Sequence, residues 1–336
     1  MGHLTGNGEA REYAPGGLPA DLPPVEPPSA GFIVQLFVIP AAIVAVVVVV
    51  WLLFGKLAGG ERDAMDYVQT IKDANENRRW RAAFELSTLI NNESRLAHDP
   101  ALLGSLTDLL TAELAKPGGD EMLKKWLAAS LGAFQTLESQ APGGRPSDPM
   151  AALTSAMATD QPLSVRLAAA ESLARQAARL GETRDDPAAI RALAEASQDD
   201  SPDLRQRATF ALGFFSGTPA LQALRRRLTA DDAFVRFAAA VHLARRGDLD
   251  AAPVVREMLS PADVQKAVRG GDPTEARVKA EAFQQEILKA LEVSIRQGHP
   301  ALAREVRTAI VEQSRSGLAG VRNEAEAVLK SLQARP

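Results

Sequence analysis

Apolar positions follow two different rhythms along this chain. Residues 32–54 are apolar at every position except Gln35. Such an unbroken run predicts a helix of membrane length rather than a half-buried one. From residue 62 onward, apolar side chains return at spacings of three and four, the stripe of an amphipathic helix. The stripe is clearest in residues 232–247, where Val235, Ala239 and Leu243 stand one before, three after and seven after Arg236. At 3.6 residues per turn these share one face, and the small alanines beside them let a second helix approach closely. Gly247-Asp248 then reads as a helix stop.

The frame recurs. Aligned on its basic residue it gives Arg79, Lys124, Arg166, Arg205, Arg236, Lys279 and Arg322, at intervals of 45, 42, 39, 31, 43 and 43 residues. The slot before holds Arg78, Leu123, Val165, Leu204, Val235, Val278 and Val321. Three later stand Ala82, Leu127, Ala169, Ala208, Ala239, Ala282 and Ala325. Seven later stand Leu86, Leu131, Leu173, Leu212, Leu243, Glu286 and Leu329. A period near 40 residues reads as stacked helix pairs.

This Val-Arg-x-x-Ala-x-x-x-Leu frame resembles the HEAT-repeat family, especially its short bacterial form, which includes the HEAT-like repeats of phycobilin lyases. The resemblance runs from about residue 65 to the end and is clearest at Arg166, Arg205, Arg236 and Arg322. The frame at Lys124 departs at Leu127, that at Lys279 at Glu286, and the first has Arg78 where an aliphatic belongs. With a proline-rich tail and an apolar span ahead of the repeats, the plan is similar to bacterial membrane-anchored HEAT-repeat proteins. The resemblance implies an α-solenoid that binds proteins along a curved face, and it implies no chemistry.

The expected fold is therefore all-α: a solenoid of HEAT-like helix pairs behind a single N-terminal transmembrane helix. Residues 1–30 carry six prolines and few large apolar side chains, so they predict a disordered tail. Residues 31–58 form the expected span, and residues 62–334 about seven repeats. The loop at residues 139–149 is a place where the array could divide, and residues 268–273 form a second break. Arg11 is the one basic residue before the apolar run at 32–54, whereas Lys56, Arg62, Lys72, Arg78 and Arg79 follow it. The positive-inside rule then places the repeats in the cytoplasm, at an inner (cytoplasmic) membrane. The alternative keeps the repeat domain outside, because large domains can follow a signal anchor outward.

Composition narrows the chemistry. The net charge of −4 divides about evenly between the tail-plus-span and the repeats, too neutral for a general nucleic-acid binder. The absence of cysteine removes disulfides, thiolate zinc sites and cysteine nucleophiles. No phosphate loop, nucleophile elbow or zinc-protease helix is present, and His3, His98, His242 and His299 are scattered. No catalytic, cofactor-binding or metal-ligating residue is therefore named, and the chain is read as a non-enzyme. His242 reads as a partly buried core residue. The basic slot reads as a structural ladder to the adjacent repeat, with Asp160, Asp200 and Asp232, four to six residues ahead of their arginines, as candidate partners. Arg225, Arg226 and Arg227, with Arg245 and Arg246, form the densest basic cluster, read as a solvated face or as a site for an acidic partner or lipid headgroup.

Five of the phenylalanines after the span lie between Phe210 and Phe237. The position nine after each basic residue is mostly a surface type, so Phe214 stands in a slot where exposure is expected, with Phe210 one turn earlier. Phe210, Phe214 and Phe237, beside Arg207 and Arg245, compose a candidate partner-binding face. The competing reading is that the rings fill a gap between tiers brought close by the 31-residue interval. The expectation is a membrane-tethered, non-enzymatic scaffold that recruits a protein partner. A HEAT-like lyase or other enzyme, and a passive spacer, are the alternatives.

Overall fold

The computed structural model describes residues 31, 40–50, 63–73, 75–180, 185–268 and 272–334. The expected disordered tail lies outside the described residues. So does most of the expected span, of which residues 40–50 are described, as helical backbone with exposed valines and Ile43. No helix among the described residues is long and apolar enough to cross a membrane. Residues 1–61 and 62–336 form separate compact units. The account below concerns the second.

That unit is built from paired helices. The pairs are α1 (Ala64–Asp73) with α2 (Glu76–Asn92), after which α3 (Ser94–Ala97) is a single turn; then α4 (Pro100–Leu114) with α5 (Glu121–Leu131). Next come α6 (Pro149–Ser155) with α7 (Leu163–Leu180), α8 (Pro187–Ala196) with α9 (Pro202–Leu212), and α10 (Thr218–Arg227) with α11 (Ala233–Arg245). A 3₁₀ turn at Leu249–Ala251 leads into α12 (Ala252–Leu259) and α13 (Pro261–Ala267), which pair with α14 (Pro273–Arg296). α15 (Ala301–Glu305) and α16 (Arg307–Gln313) pair with α17 (Ala319–Gln333). The second helices α2, α5, α7, α9, α11, α14 and α17 pack each against the next in one row.

Local sequence starts these helices in a repeated way. Asp99, Asp148, Asp186 and Asp272, each followed by proline, accept hydrogen bonds from backbone N–H groups of the first turn. Ser201 and Ser260 do the same ahead of Pro202 and Pro261. The side-chain oxygen satisfies donors that have no intrahelical partner, and proline costs nothing at a position whose N–H would be idle.

The stripe slots form the core: Leu123, Val165, Leu204, Val235 and Val321 are all sealed from solvent, as are Leu131, Leu173, Leu212 and Leu243. The frame expected at Lys279 is displaced. Val278 is 60% exposed, whereas Ala280, Gln284 and Leu288 are buried. The basic slot there is Glu281, two residues later, and a slip of two turns a helical stripe by about 200°. Residues 139–149 do not interrupt the row, since α5 and α7 pack across them. The loop holds a two-stranded hairpin, Gln140–Ala141 with Arg145–Pro146, seated against α4.

The basic ladder exists, with partners other than those expected. Arg166 pairs with Asp199 at 2.8 Å, Arg205 with Asp232 at 3.5 Å and Arg236 with Glu257 at 2.6 Å. Each carboxylate belongs to the following repeat. The residues ahead of the arginine contribute carbonyl oxygens instead: those of Asp199 and Asp200 accept from Arg205, and those of Ala230 and Asp231 from Arg236. Arg79 reaches Glu113 at 2.8 Å, where Lys116 also binds. Burial alone would raise the Glu113 pKa, but its bonds to Lys116 and Arg79 and the Asp120 N–H hold it below the usual value.

A candidate protein-binding groove on the second helices

Counted from the basic residue, positions two, five and nine form a stripe turned away from the buried one in the frames at Arg166 and Arg205. At α7 and α9 it carries Glu171, Arg175, Arg207, Phe210 and Phe214. A groove of about 360 Å³ opens there, with Ala174 and Ala178 of α7 on one side and Phe210 of α9 and Phe214 of the turn after it on the other. The alanines make the space and the phenylalanines give it an apolar wall.

Phe210 is 50% exposed, and Phe214 is half-buried against the core. The two rings meet edge to face at 5.0 Å, and both contact His242, at 5.4 and 5.1 Å. Such T-shaped contacts hold rings in place, so Phe210 is exposed yet positioned. His242 is buried and neutral: desolvation, with Arg245 and Arg246 nearby, lowers its pKa to about 3. Its Nε2 meets no hydrogen-bond partner among the described residues.

The charged edge is a three-membered bridge. Arg175 donates to one oxygen of Glu171 at 2.5 Å and Arg207 to the other at 2.8 Å. All three side chains are close to half exposed, so the ion pairs themselves contribute little to stability. One carboxylate opposing two guanidinium groups leaves donors turned to solvent.

A second groove, of about 460 Å³, shares Glu171, Arg175 and Arg207 and runs between α5 and α7. Trp126, Ala129, Leu167 and Ala168 line it. Trp126 meets Phe84 edge to face at 4.7 Å, and the Lys125 ammonium lies 5.1 Å from the Trp126 ring.

Of the residues expected at a binding face, Arg207, Phe210 and Phe214 come together here. Phe237 does not. It is sealed in the core, 5.2 Å from Phe283, because the following repeat covers it. Arg245 lies one repeat further along and binds Glu286 at 2.6 Å. The cluster of Arg225, Arg226 and Arg227 is largely engaged: Arg225 bridges Asp248 and Asp250, and Arg227 donates to the Ser197 carbonyl. Glu171, Arg175, Trp126 and Phe84 were not singled out from the sequence, although each stands at position two, five or nine of its frame.

Residues 190–270, which include Arg207, Phe210 and Phe214, match the family model of HEAT repeats. No curated protein matches the chain. Among solved structures, an engineered protein is 16% identical with a TM-score of 0.42, over 81% of this chain and 99% of its own. The Pds5–Scc1 complex is 16% identical with a TM-score of 0.41, over 81% of this chain and 41% of that one. A designed armadillo repeat protein is 15% identical with a TM-score of 0.35, over 79% and 98%.

Proposed function

We propose that this protein is a membrane-tethered, non-enzymatic scaffold whose second-helix row recruits a protein partner. The apolar run at residues 32–54 supports the tether, and the basic residues after it support a cytoplasmic array. The observation that carries the recruiting role is the exposed face of Phe210, held by Phe214 and His242 at the rim of an apolar groove. An aromatic ring left in water on a firm footing, with arginine beside it, is the composition of an interface hot spot.

Photo-crosslinking in cells tests this directly. A photoreactive residue at position 210 should yield a discrete protein adduct, and one at the exposed Gln222 of α10 should not. Equal yields from both positions, or no adduct from position 210, reject the recruiting role. A reporter at the C-terminus that is cleaved by protease added to intact spheroplasts rejects the cytoplasmic placement.

A further inference from the structure

The two grooves form one track. They join at Glu171, Arg175 and Arg207, and apolar side chains stand at both ends: Trp126 and Leu167 at one, Phe210 and Phe214 at the other. Lys125, Arg175 and Arg207 face a single carboxylate along the track, Glu171. Its charge is therefore positive in a protein whose total is −4. A near-neutral array with one short cationic track does not suit a phosphate polymer, which needs many cations in series. It suits a short segment carrying carboxylates between two apolar side chains.

The length follows from the helices. Leu167 and Ala178 are the outermost apolar residues of the track on α7, eleven residues apart, which at about 1.5 Å per residue is about 16 Å. The track also crosses from the α5 side of α7 to its α9 side, about 8–10 Å for each helix spacing. The diagonal is near 25 Å, which about seven residues of extended chain would cover at about 3.3–3.6 Å each.

We propose that the track binds an extended acidic peptide segment of about seven residues, one apolar side chain entering beside Trp126, another beside Phe210, and carboxylates between them on Arg175 and Arg207. This rests on the recruiting role and names the chemistry of the partner. Glu171 then keeps both guanidinium groups aimed into the track while the site is empty, so binding adds carboxylates to cations already in place.

The test is an immobilised peptide library read with the full chain. Its members carry two phenylalanines separated by three to nine residues, the intervening residues being aspartate, serine or lysine. Acidic members with separations of five to seven should bind best, and Arg207→Glu and Arg175→Glu should each weaken them about fivefold, the scale of a half-exposed ion pair. The double variant should shift the preference to the lysine members, an inversion that a loss of folding would not produce. Binding of acidic members should also fall as salt rises. Preference for serine or lysine members by the native chain, acidic binding unchanged in the double variant, or stronger binding of poly-dT than of any peptide would each overturn the proposal. If crosslinking at position 210 still yields a protein adduct in that event, the recruiting role stands and only the acidic partner falls.

Discussion

A β-carbon on Gly213 would come within 2.0 Å of the His242 ring. Gly213 closes α9 and His242 lies in the last turn of α11, so the two helices meet at a point where no side chain fits. The same relation recurs two repeats earlier, where a β-carbon on Gly132 would come within 2.4 Å of the Ser172 side chain. Ser172 and His242 both stand six residues after their basic residue. Arg179 and Arg246 complete the parallel: each donates to the carbonyls of the glycine and of the buried phenylalanine two residues on, Phe134 or Phe215. Gly213→Ala should therefore force the imidazole aside and cost about 1–3 kcal/mol. Adding His242→Ala should return part of that loss, because the two changes share one contact. Urea unfolding of the two single variants and the double variant checks the coupling, and strictly additive losses would count against it.

The buried imidazole also sets a pH dependence. In the unfolded chain His242 takes up a proton near its ordinary value of about 6.5, whereas in the folded protein it stays neutral down to about pH 3. Between those values the unfolded state binds the extra proton. Stability is thus fully present above about 6.5 and falls as the pH drops, by at most about 1.4 kcal/mol per pH unit. His242→Leu should flatten the fall between pH 7 and 5, before the carboxylates titrate. Parallel melting curves of the two proteins over that range measure it. An unchanged slope in the variant would mean that the histidine is not the source.

The ladder makes a different prediction. The Arg166 side chain is 9% exposed and depends on Asp199 of the next repeat. Asp199→Ala leaves a buried guanidinium without its carboxylate and should cost about 3 kcal/mol. Pairing it with Arg166→Met should recover much of the loss, since a well-packed apolar pair can replace a buried ion pair. In a stack of repeats the damage begins locally, so amide exchange should rise first around α7 and α9. A uniform rise across residues 62–336 would show that the unit opens as one.

Much of this was legible in the sequence because the frame is periodic. Helix pairing, the buried stripe and the caps at aspartate-proline and serine-proline follow from local chemistry repeated along the chain. Position nine, occupied by Arg175, Phe214 and Arg245, already marked an outward slot. The same count at positions two and five puts Phe84, Trp126 and Glu171 on the stripe that already held Arg207 and Phe210. Phe237 shows where the pattern ends. It stands one residue after Arg236, at the margin of the stripe, where burial is decided by the next repeat, and Phe283 covers it. The arginine partners were hidden for the same reason: Asp199, Asp232 and Glu257 lie 21 to 33 residues further on, and only the stacking of repeats brings them close. The frame slips at Lys279 because α14, 24 residues long, offers two overlapping stripes, and Val278 sits on the exposed one.

The face that holds Phe210 separates stability from binding in one set of variants. Phe210 is half in water but gives up its ring contacts with Phe214 and His242, so Phe210→Glu should cost about 1 kcal/mol. Phe214 packs partly on the core, and Phe214→Glu brings a carboxylate against buried side chains at a cost of about 1–3 kcal/mol. Leu212, sealed between tiers, should lose about 2–5 kcal/mol on truncation to alanine. The order of melting temperatures is then Phe210→Glu highest, Phe214→Glu lower and Leu212→Ala lowest. Partner crosslinking from a photoreactive residue at the exposed position 88, on the far wall of the track, should follow a different order. Phe210→Glu should abolish the adduct while the protein stays folded, because a charge replaces the apolar wall and repels an acidic segment. Leu212→Ala should retain the adduct at temperatures where it remains folded, because the outer stripe is untouched. A folded Phe210→Glu variant that keeps its adduct would remove this face from the reading altogether.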